Sequence, residues 1–465
     1  MSKFERSCLV VHGHFSQPQR GNPLTGEIGV EPDAAPYANW NERVTASSIR
    51  PNAEAGNFEY ISFSFSPTLL AWLKANAEPI YQTIIASDQY SAETGGHTLA
   101  TAYHHTILPL SRKRDKRTQI TWGIAAFEHH FGHKPLGFWL PEMAVDTETL
   151  ALLAEAGIQY TVLARKQMHD FPTGDGAGPF RVALPGGKHM DVFVRNDGLS
   201  SDISFNIHTL GGAGRWSHQV LGPARRHVGQ LLLLATAGET FGHHYAGEEQ
   251  FLYWLMHYEA KAAGYSIVTL DEQFLAHPSV QQVQLEERSS WSDQQGLGHW
   301  ATGMGDTTWK GGLRRALDNM TSELDRAYED SLRPYDLDPW VIRDQYALVL
   351  LGDVTADAFF EEHTPAIQKD SRDKLKVLLT AQELAQRMYN SYTFTDERLD
   401  SPRPRYAIAC AAAALSLAQQ VNRRDLSERL MPDLAVVTSP SSSLSGADIL
   451  RSVVEELELD LQLAK

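Results

Sequence analysis

The stretch that decides the architecture is LLLLATAGETFGHHY, residues 231–245. Four leucines, Leu231 to Leu234, make an uninterrupted apolar run of the kind found in strands buried on both faces. It leads into a turn holding Ala237, Gly238 and Glu239, then Phe241 and two histidines. A turn dense in functional side chains at the carboxyl end of a buried strand reads as an active-site loop of an α/β barrel. At its tip stands Ala237, which has no chemistry to offer.

Working outward, the same grammar repeats. SCLVVHGHF, LGFWL, QYTVLA, MDVFVR and YSIVTL read as further strands, and PTLLAWLKAN, TQITWGIAAFEHHFG and TETLALLAEAG as helices between them. Gly132 and Gly157 supply helix stops, and Asp146 a helix cap. Strands alternating with helices imply a parallel sheet with crossover connections. No G-x-G-x-x-G follows the first strand and no P-loop occurs, so a barrel related to the (β/α)8 design is favoured over a doubly wound sheet. From about residue 291 the pattern changes. Trp291, Trp300 and Trp309 cluster, and 373–389, 405–421 and 446–463 carry helix-period apolar faces, with SPSSSLSG (439–446) as a connector. The expected division is a barrel over 1–285 and a helical domain over 286–465.

The chain has 465 residues, 42% of them hydrophobic, and a formal charge of −16, which argues against a nucleic-acid surface. The apolar run Cys8–Val11 is too short for an export signal and nothing reaches membrane-spanning length, so a cytoplasmic protein without a membrane partner is expected. Cys8 and Cys410 read as free thiols of a reducing compartment. The basic run RKRDKR (112–117) reads as a solvated helix start.

Strand ends nominate the chemistry: His12, His14 and Gln17, then Glu142, then Asp197 and Asp202, then 237–243. Glu142 follows FWLP, so its carboxylate projects past a strand whose Trp139 and Leu140 form an apolar wall that shifts its proton affinity; the bland alternative is a helix-entry carboxylate. His129 and His133 are four apart, but the H-E-x-x-H pattern is missing and they read as a solvated helix face. The adjacent pairs His104-His105 and His243-His244 point apart and chelate poorly. No metal or organic cofactor is implied.

Together these strand ends resemble glycoside hydrolase family 57. HGHFSQP is similar to that family's opening motif, GFWLPEM to its nucleophile motif, VRNDGLSSDISF to a D-G-x-S-x-x-I-x-F run, TAGETFGHHY to its D-G-E-x-F-G motif, and SIVTLDEQF to its last barrel motif. SSWSDQQGLGHW resembles the Trp-rich start of the helical domain in a longer-tailed subgroup. GGHTLATAYHH matches the second motif only loosely and leaves the role of His97 open. The resemblance implies an α/β fold, an incomplete (β/α)7 barrel followed by a mainly α-helical domain that contributes aromatic residues to the cleft. It implies a retaining α-glycosidase with Glu142 as nucleophile, acting on an oligosaccharide or α-glucan. His12, His14, Gln17, His97, Trp139, Asp202, Glu239, Phe241, His243, Trp291 and Trp300 would line the sugar site, with Trp309 a further candidate. Most of the tryptophans are expected to be core.

By the same resemblance, position 237 is where the general acid/base aspartate belongs. A retaining mechanism needs two carboxylates roughly 5–5.5 Å apart, so the chain as written is expected to be inactive. The intact surroundings favour a deliberate Asp→Ala change that traps a bound saccharide. Glu239, two residues on and past a glycine, is expected to point elsewhere. Branching enzymes and glucanotransferases share these motifs and remain open, as does a non-catalytic saccharide-binding homologue. A metal-dependent deacetylase is disfavoured, because the first strand has VVHGHF where an Asp-Asp pair is wanted.

Overall fold

The computed structural model describes residues 3–89, 95–169, 171, 176–225, 229–292, 296–422 and 428–461. Its strands are β1 (Ser7–Phe15), β2 (Ser62–Phe65), β3 (Ala100–Thr101), β4 (Gly137–Trp139), β5 (Tyr160–Ala164), β6 (Met168–His169), β7 (Phe180–Ala183), β8 (His189–Arg195), β9 (Leu231–Ala237), β10 (Tyr265–Ile267) and β11 (Gln282–Leu285). β1 is the hub of one sheet. It pairs in parallel with β9 from Cys8 to His14, with β2 over His12–Phe15 and with β10 over Ser7–Leu9. A second sheet runs β3-β4-β5-β8-β7-β11-β6, and its first four strands are parallel.

The two sheets approach at both margins. Phe63 of β2 bridges Thr98, just before β3, and Asn196 beyond β8 donates its N–H to the Leu233 carbonyl of β9 at 2.8 Å. The parallel strands thus follow the order β9-β1-β2-β3-β4-β5-β8 without one closed ladder. β1 and β5 are buried along their whole length, in keeping with the apolar runs Cys8–Val11 and Val162–Ala164 within them. Because these strands are parallel, Gln17, Glu142, Asp197 and Glu239 all follow carboxyl ends.

The chain forms two compact units. The first comprises Met1–Gln17, Val30–Tyr103 and His130–Ser292, and the second Pro18–Gly29, His104–His129 and Asp293–Lys465. The second unit is helical, with long helices at Trp309–Leu332, Lys369–Arg387 and Pro402–Val421. The alanine-rich Pro402–Val421 helix buries Ala407 to Ser416 without a break. Small side chains of that kind let two helices approach closely.

Two sequence expectations need correction here. RKRDKR does begin a helix, Lys113–Phe131, and Arg112, Lys113 and Arg117 are exposed, but the run is not solvated throughout. Asp115 and Lys116 are buried, Arg112 and Arg114 both pair with Asp325, and the fully buried Arg343 donates to Asp115 at 2.8 Å and to Gln382 at 2.9 Å. Opposite charges distant in sequence engage Arg112, Arg114 and Asp115, a pairing that local charge patterning does not register. His129 and His133 do not form one solvated face either. The helix ends at Phe131, His129 binds Asp353 at 2.6 Å, and His133 binds the buried Asp88 at 2.7 Å within the first unit.

Cys8 and Cys410 are both buried and neither forms a disulfide. Among the described residues, no helix is long and apolar enough to cross a membrane.

Candidate active site

Glu142 sits on the turn after β4. Its φ is +56° and that of Met143 is +48°, a left-handed pair unusual for residues with side chains. The turn is held from several sides: Met143 N–H donates to Leu140 O at 2.8 Å, Gln167 donates to Met143 O at 2.7 Å, and Ala144 N–H donates to Pro141 O at 3.0 Å. Strain of this kind persists only where the surroundings over-determine it, and it concentrates at functional sites.

The Glu142 side chain is set against aromatic rings. Its Oε2 accepts from the Trp291 indole N–H at 2.9 Å and from the Ser292 hydroxyl at 3.5 Å. Burial raises the carboxyl above its ordinary proton affinity, and these two donors pull it partly back. Trp291 meets Trp139 edge to face at 5.5 Å, and Arg195 lies over the Trp291 ring at 4.7 Å. Asp293, Gln294 and Gln295, which continue the Trp291 motif, lie outside the described residues.

Trp139 is fully buried beneath both β1 histidines. Its ring stacks on His12 at 4.6 Å and on His14 at 5.2 Å. The two-residue spacing puts both imidazoles on one face of β1. Ser62 and Ser64, at the same spacing on β2, meet them: Ser64 Oγ lies 3.1 Å from His12 Nε2 and 2.8 Å from His14 Nδ1, and Ser62 Oγ 3.2 Å from His12 Nδ1. Burial drives His12 down to about 3, so it is neutral at ordinary pH.

Ala237 ends β9 and is the register partner of His14. Gly238 follows because a Cβ there would stand 2.4 Å from the buried Phe15 ring. Glu239 turns to the carboxyl end of β1. It is buried, and its Oε1 accepts from Ser16 N–H at 2.9 Å and from the Gln17 amide at 3.4 Å. Burial raises it to about 7.

The remaining candidates are dispersed. Phe241 is fully buried, and its carbonyl accepts from Ser48 and Asn52, each at 2.9 Å. His243 is partly exposed, hydrogen-bonds Ser47 at 2.8 Å, and is lowered to about 4 by burial, then by His244 and Arg43. Asp202 is half-buried on the Asp197–Asn206 helix. His97 precedes β3 at the amino-terminal side, with its ring nitrogen bonded to the Ile61 carbonyl at 2.9 Å, so the structure does not bring it to Glu142. Trp300 and Trp309 are each 2% exposed in the second unit, where Trp309 donates to the Glu397 carbonyl at 3.0 Å. They are core residues there.

Sequence reasoning missed Arg195, Ser62 and Ser64. Arg195 is buried, donates to Ala235 O at 3.1 Å and Asp197 at 2.8 Å, and caps the Trp291 ring. Its signal was a cation at the end of MDVFVR. That of the serines was the period-two alternation of SFSF.

A family model described as "Glycosyl hydrolase family 57" matches residues 18–286. The chain belongs to glycosyl hydrolase family 57. A second model, described as a domain of unknown function (DUF3536), matches residues 306–464. Among solved structures, an exo-type maltose-forming amylase from Pyrococcus sp. ST04 superposes with a TM-score of 0.73 at 15% identity, covering 91% of this chain and 82% of that one. A 4-alpha-glucanotransferase from Thermococcus litoralis gives 0.56 at 17% identity, covering 89% and 60%. At these identities the likeness shows a shared fold. In sequence, the chain is 30% identical over 115 residues to alpha-amylase 1 of Dictyoglomus thermophilum, 24% of this chain and 16% of that protein. It is 39% identical over 74 residues to a 1,4-alpha-glucan branching enzyme of Thermococcus kodakarensis, 16% of this chain and 10% of that protein. Both matches span a small part of the curated relatives' length.

Proposed function

We propose that the chain is an α-glucan-active member of family 57, with Glu142 as the nucleophile of a retaining mechanism and the acid/base position empty of chemistry at Ala237. The observation that carries this reading is Glu142 itself: a strained, half-buried carboxylate at a strand end, with one oxygen anchored by Trp291 and Ser292. That anchoring leaves Oε1 for the anomeric carbon. Attack forms the bond between Glu142 and the sugar and breaks the glycosidic bond, whose departing oxygen needs a proton. His14, Gln17 and Trp291 surround the same strand ends and suit sugar hydroxyls and a ring face. The named activities of the amylase, glucanotransferase and branching-enzyme relatives support an α-linked glucose polymer as the substrate class. Water and a second sugar are both admissible acceptors.

With alanine at 237, the departing oxygen has no carboxylic acid at the family position. The chain as it stands therefore binds saccharide far better than it turns it over. Restoring the carboxylate by Ala237→Asp and following maltooligosaccharide products by chromatography tests this. Turnover by the aspartate form alone supports the reading. A second reading, a non-catalytic saccharide-binding homologue, is favoured by the same Ala237, and it expects binding without turnover in both forms.

A further inference from the structure

The first unit carries an aromatic surface that the chemistry above does not use. After the 238–242 turn the chain runs helically from Glu249 to Ala262, with one wide π turn over Leu255–Glu259. Phe251, Leu252, Leu255 and Met256 are buried, and the opposite side carries Tyr253, Trp254, His257 and Tyr258. Wide turns of this kind re-aim side chains and recur at functional sites.

Trp254 is 50% exposed and Tyr258 52%, with ring centroids 5.2 Å apart and planes inclined at 38°. They form a shallow, curved floor. Tyr253 stands edge-on to both, 5.5 Å from Trp254 and 6.0 Å from Tyr258. Behind it, His257 lies between Tyr253 at 4.3 Å and Tyr60 at 4.1 Å. The rings are thus fixed against one another, and a ligand meeting them orders little that is not already ordered.

The chemistry of the cluster selects its occupant. None of the five ring-bearing side chains carries a formal charge while His257 is neutral, and burial lowers that imidazole's proton affinity. Three of the five bear hydroxyls. Flat apolar faces rimmed by hydroxyls, with the Glu59 carboxylate beside His257 as a further acceptor, suit a ligand with one C–H face and a polar edge, which describes a sugar ring. A second protein is a poorer fit. Two half-exposed rings, each of about 150–250 Å² in full, fall well short of the roughly 800 Å² per partner of a standard interface.

We propose that Trp254 and Tyr258 form an ancillary saccharide platform that holds a stretch of polymeric α-glucan outside the catalytic strand ends. The identity of the sugar rests on the functional reading given above; the platform does not require turnover.

The test is electrophoresis of the intact chain through gels containing glycogen or amylose. The comparison is between the unaltered protein, Trp254→Phe, and the double variant Trp254→Ala/Tyr258→Ala. Loss of both rings is expected to weaken retention about tenfold, whereas Trp254→Phe keeps most of it. Both sites are exposed, so folding is spared, and circular dichroism checks that. In the Ala237→Asp background, the double variant is expected to cleave short maltooligosaccharides with unchanged kcat and to lose apparent affinity only for polymer. Unchanged retention of the double variant, or no retention of the unaltered chain, overturns the platform. So does a double variant whose only change, by sedimentation, is loss of self-association. If Ala237→Asp proves inactive while the double variant still loses retention, the catalytic reading fails and the platform stands.

Discussion

The ends of β4 and β9 share one design and differ in what maintains it. Each is an apolar strand running into a single tight turn with a glutamate, half-buried at 142 and buried at 239. At β4 the carboxylate stands on strained backbone: Glu142 and Met143 both have positive φ, and side chains from 167, 291 and 292 hold the turn or its carboxylate. At β9 the tip residue is relaxed, with Ala237 at φ −60°. The shape there is kept two residues later, where Glu239 accepts from Ser16 and Gln17 through its side chain, and from His243 N–H and His244 N–H through its carbonyl. The fold therefore depends on the side chain at 142 and hardly at all on that at 237. On the functional reading proposed above, a carboxylate at 237 could be lost without disturbing these ties.

If that asymmetry holds, the largest effect comes from the side the fold ignores. Ala237→Asp is expected to raise turnover of maltooligosaccharides by about 10²–10⁴-fold, the usual span for a positioned general acid, with little change in melting temperature. Adding Glu142→Gln should return that variant to background. Turnover surviving in the double variant would remove Glu142 from the chemistry. Next in size is Glu239→Gln, which keeps the acceptor oxygen and removes the buried charge. A carboxyl raised from its usual 4.5 to about 7 costs the folded state nothing below pH 4.5, progressively more between 4.5 and 7, and its full penalty above 7. The glutamine form should therefore be more stable by about 3 kcal/mol at pH 8 and equal to the parent at pH 4. Urea unfolding at both pH values reads this directly. Equal stability at pH 8 would mean that Glu239 is not penalised by burial.

Much of this pair of turns was legible in the sequence. The Leu231–Leu234 run and FWLP each announce a buried strand, and glycine, proline and glutamate just beyond announce its turn. Asp146 as a helix cap was equally legible, because capping is local: its Oδ1 accepts from Thr149 N–H at 2.7 Å. What escaped depends on contacts distant in sequence. The Trp291–Glu142 bond spans 149 positions and the Ser16–Glu239 bond 223, so neither pairing could be read from the local sequence. The pairing of RKRDKR has the same origin, since Asp325 and Arg343 lie far along the chain.

A smaller effect is expected of Trp291→Phe. It keeps a ring over the site and deletes the indole donor. Hydrogen bonds to charged groups contribute about 1.5–3 kcal/mol, and one pKa unit is about 1.4 kcal/mol. Because that bond holds the Glu142 proton affinity down, its loss should move the acidic limb of the kcat/KM profile upward by roughly one to two units, measured in the Ala237→Asp background. An unmoved limb would show that Trp291 does not govern the carboxylate.

The smallest expected effect separates support of the turn from support of the charge. Asp146 caps the helix that leaves the β4 turn, so Asp146→Ala should cost about 1 kcal/mol of stability. It donates nothing to Glu142, whose hydrogen-bond donors are Trp291 and Ser292. The acidic limb of the profile should therefore stay in place while the urea midpoint falls. Were the limb to move as it does in Trp291→Phe, the strained backbone at 142–143 would be setting the proton affinity through its geometry. The contrast between a strained turn and a relaxed one would then be the source of the difference in chemistry, rather than a mechanical accompaniment to it.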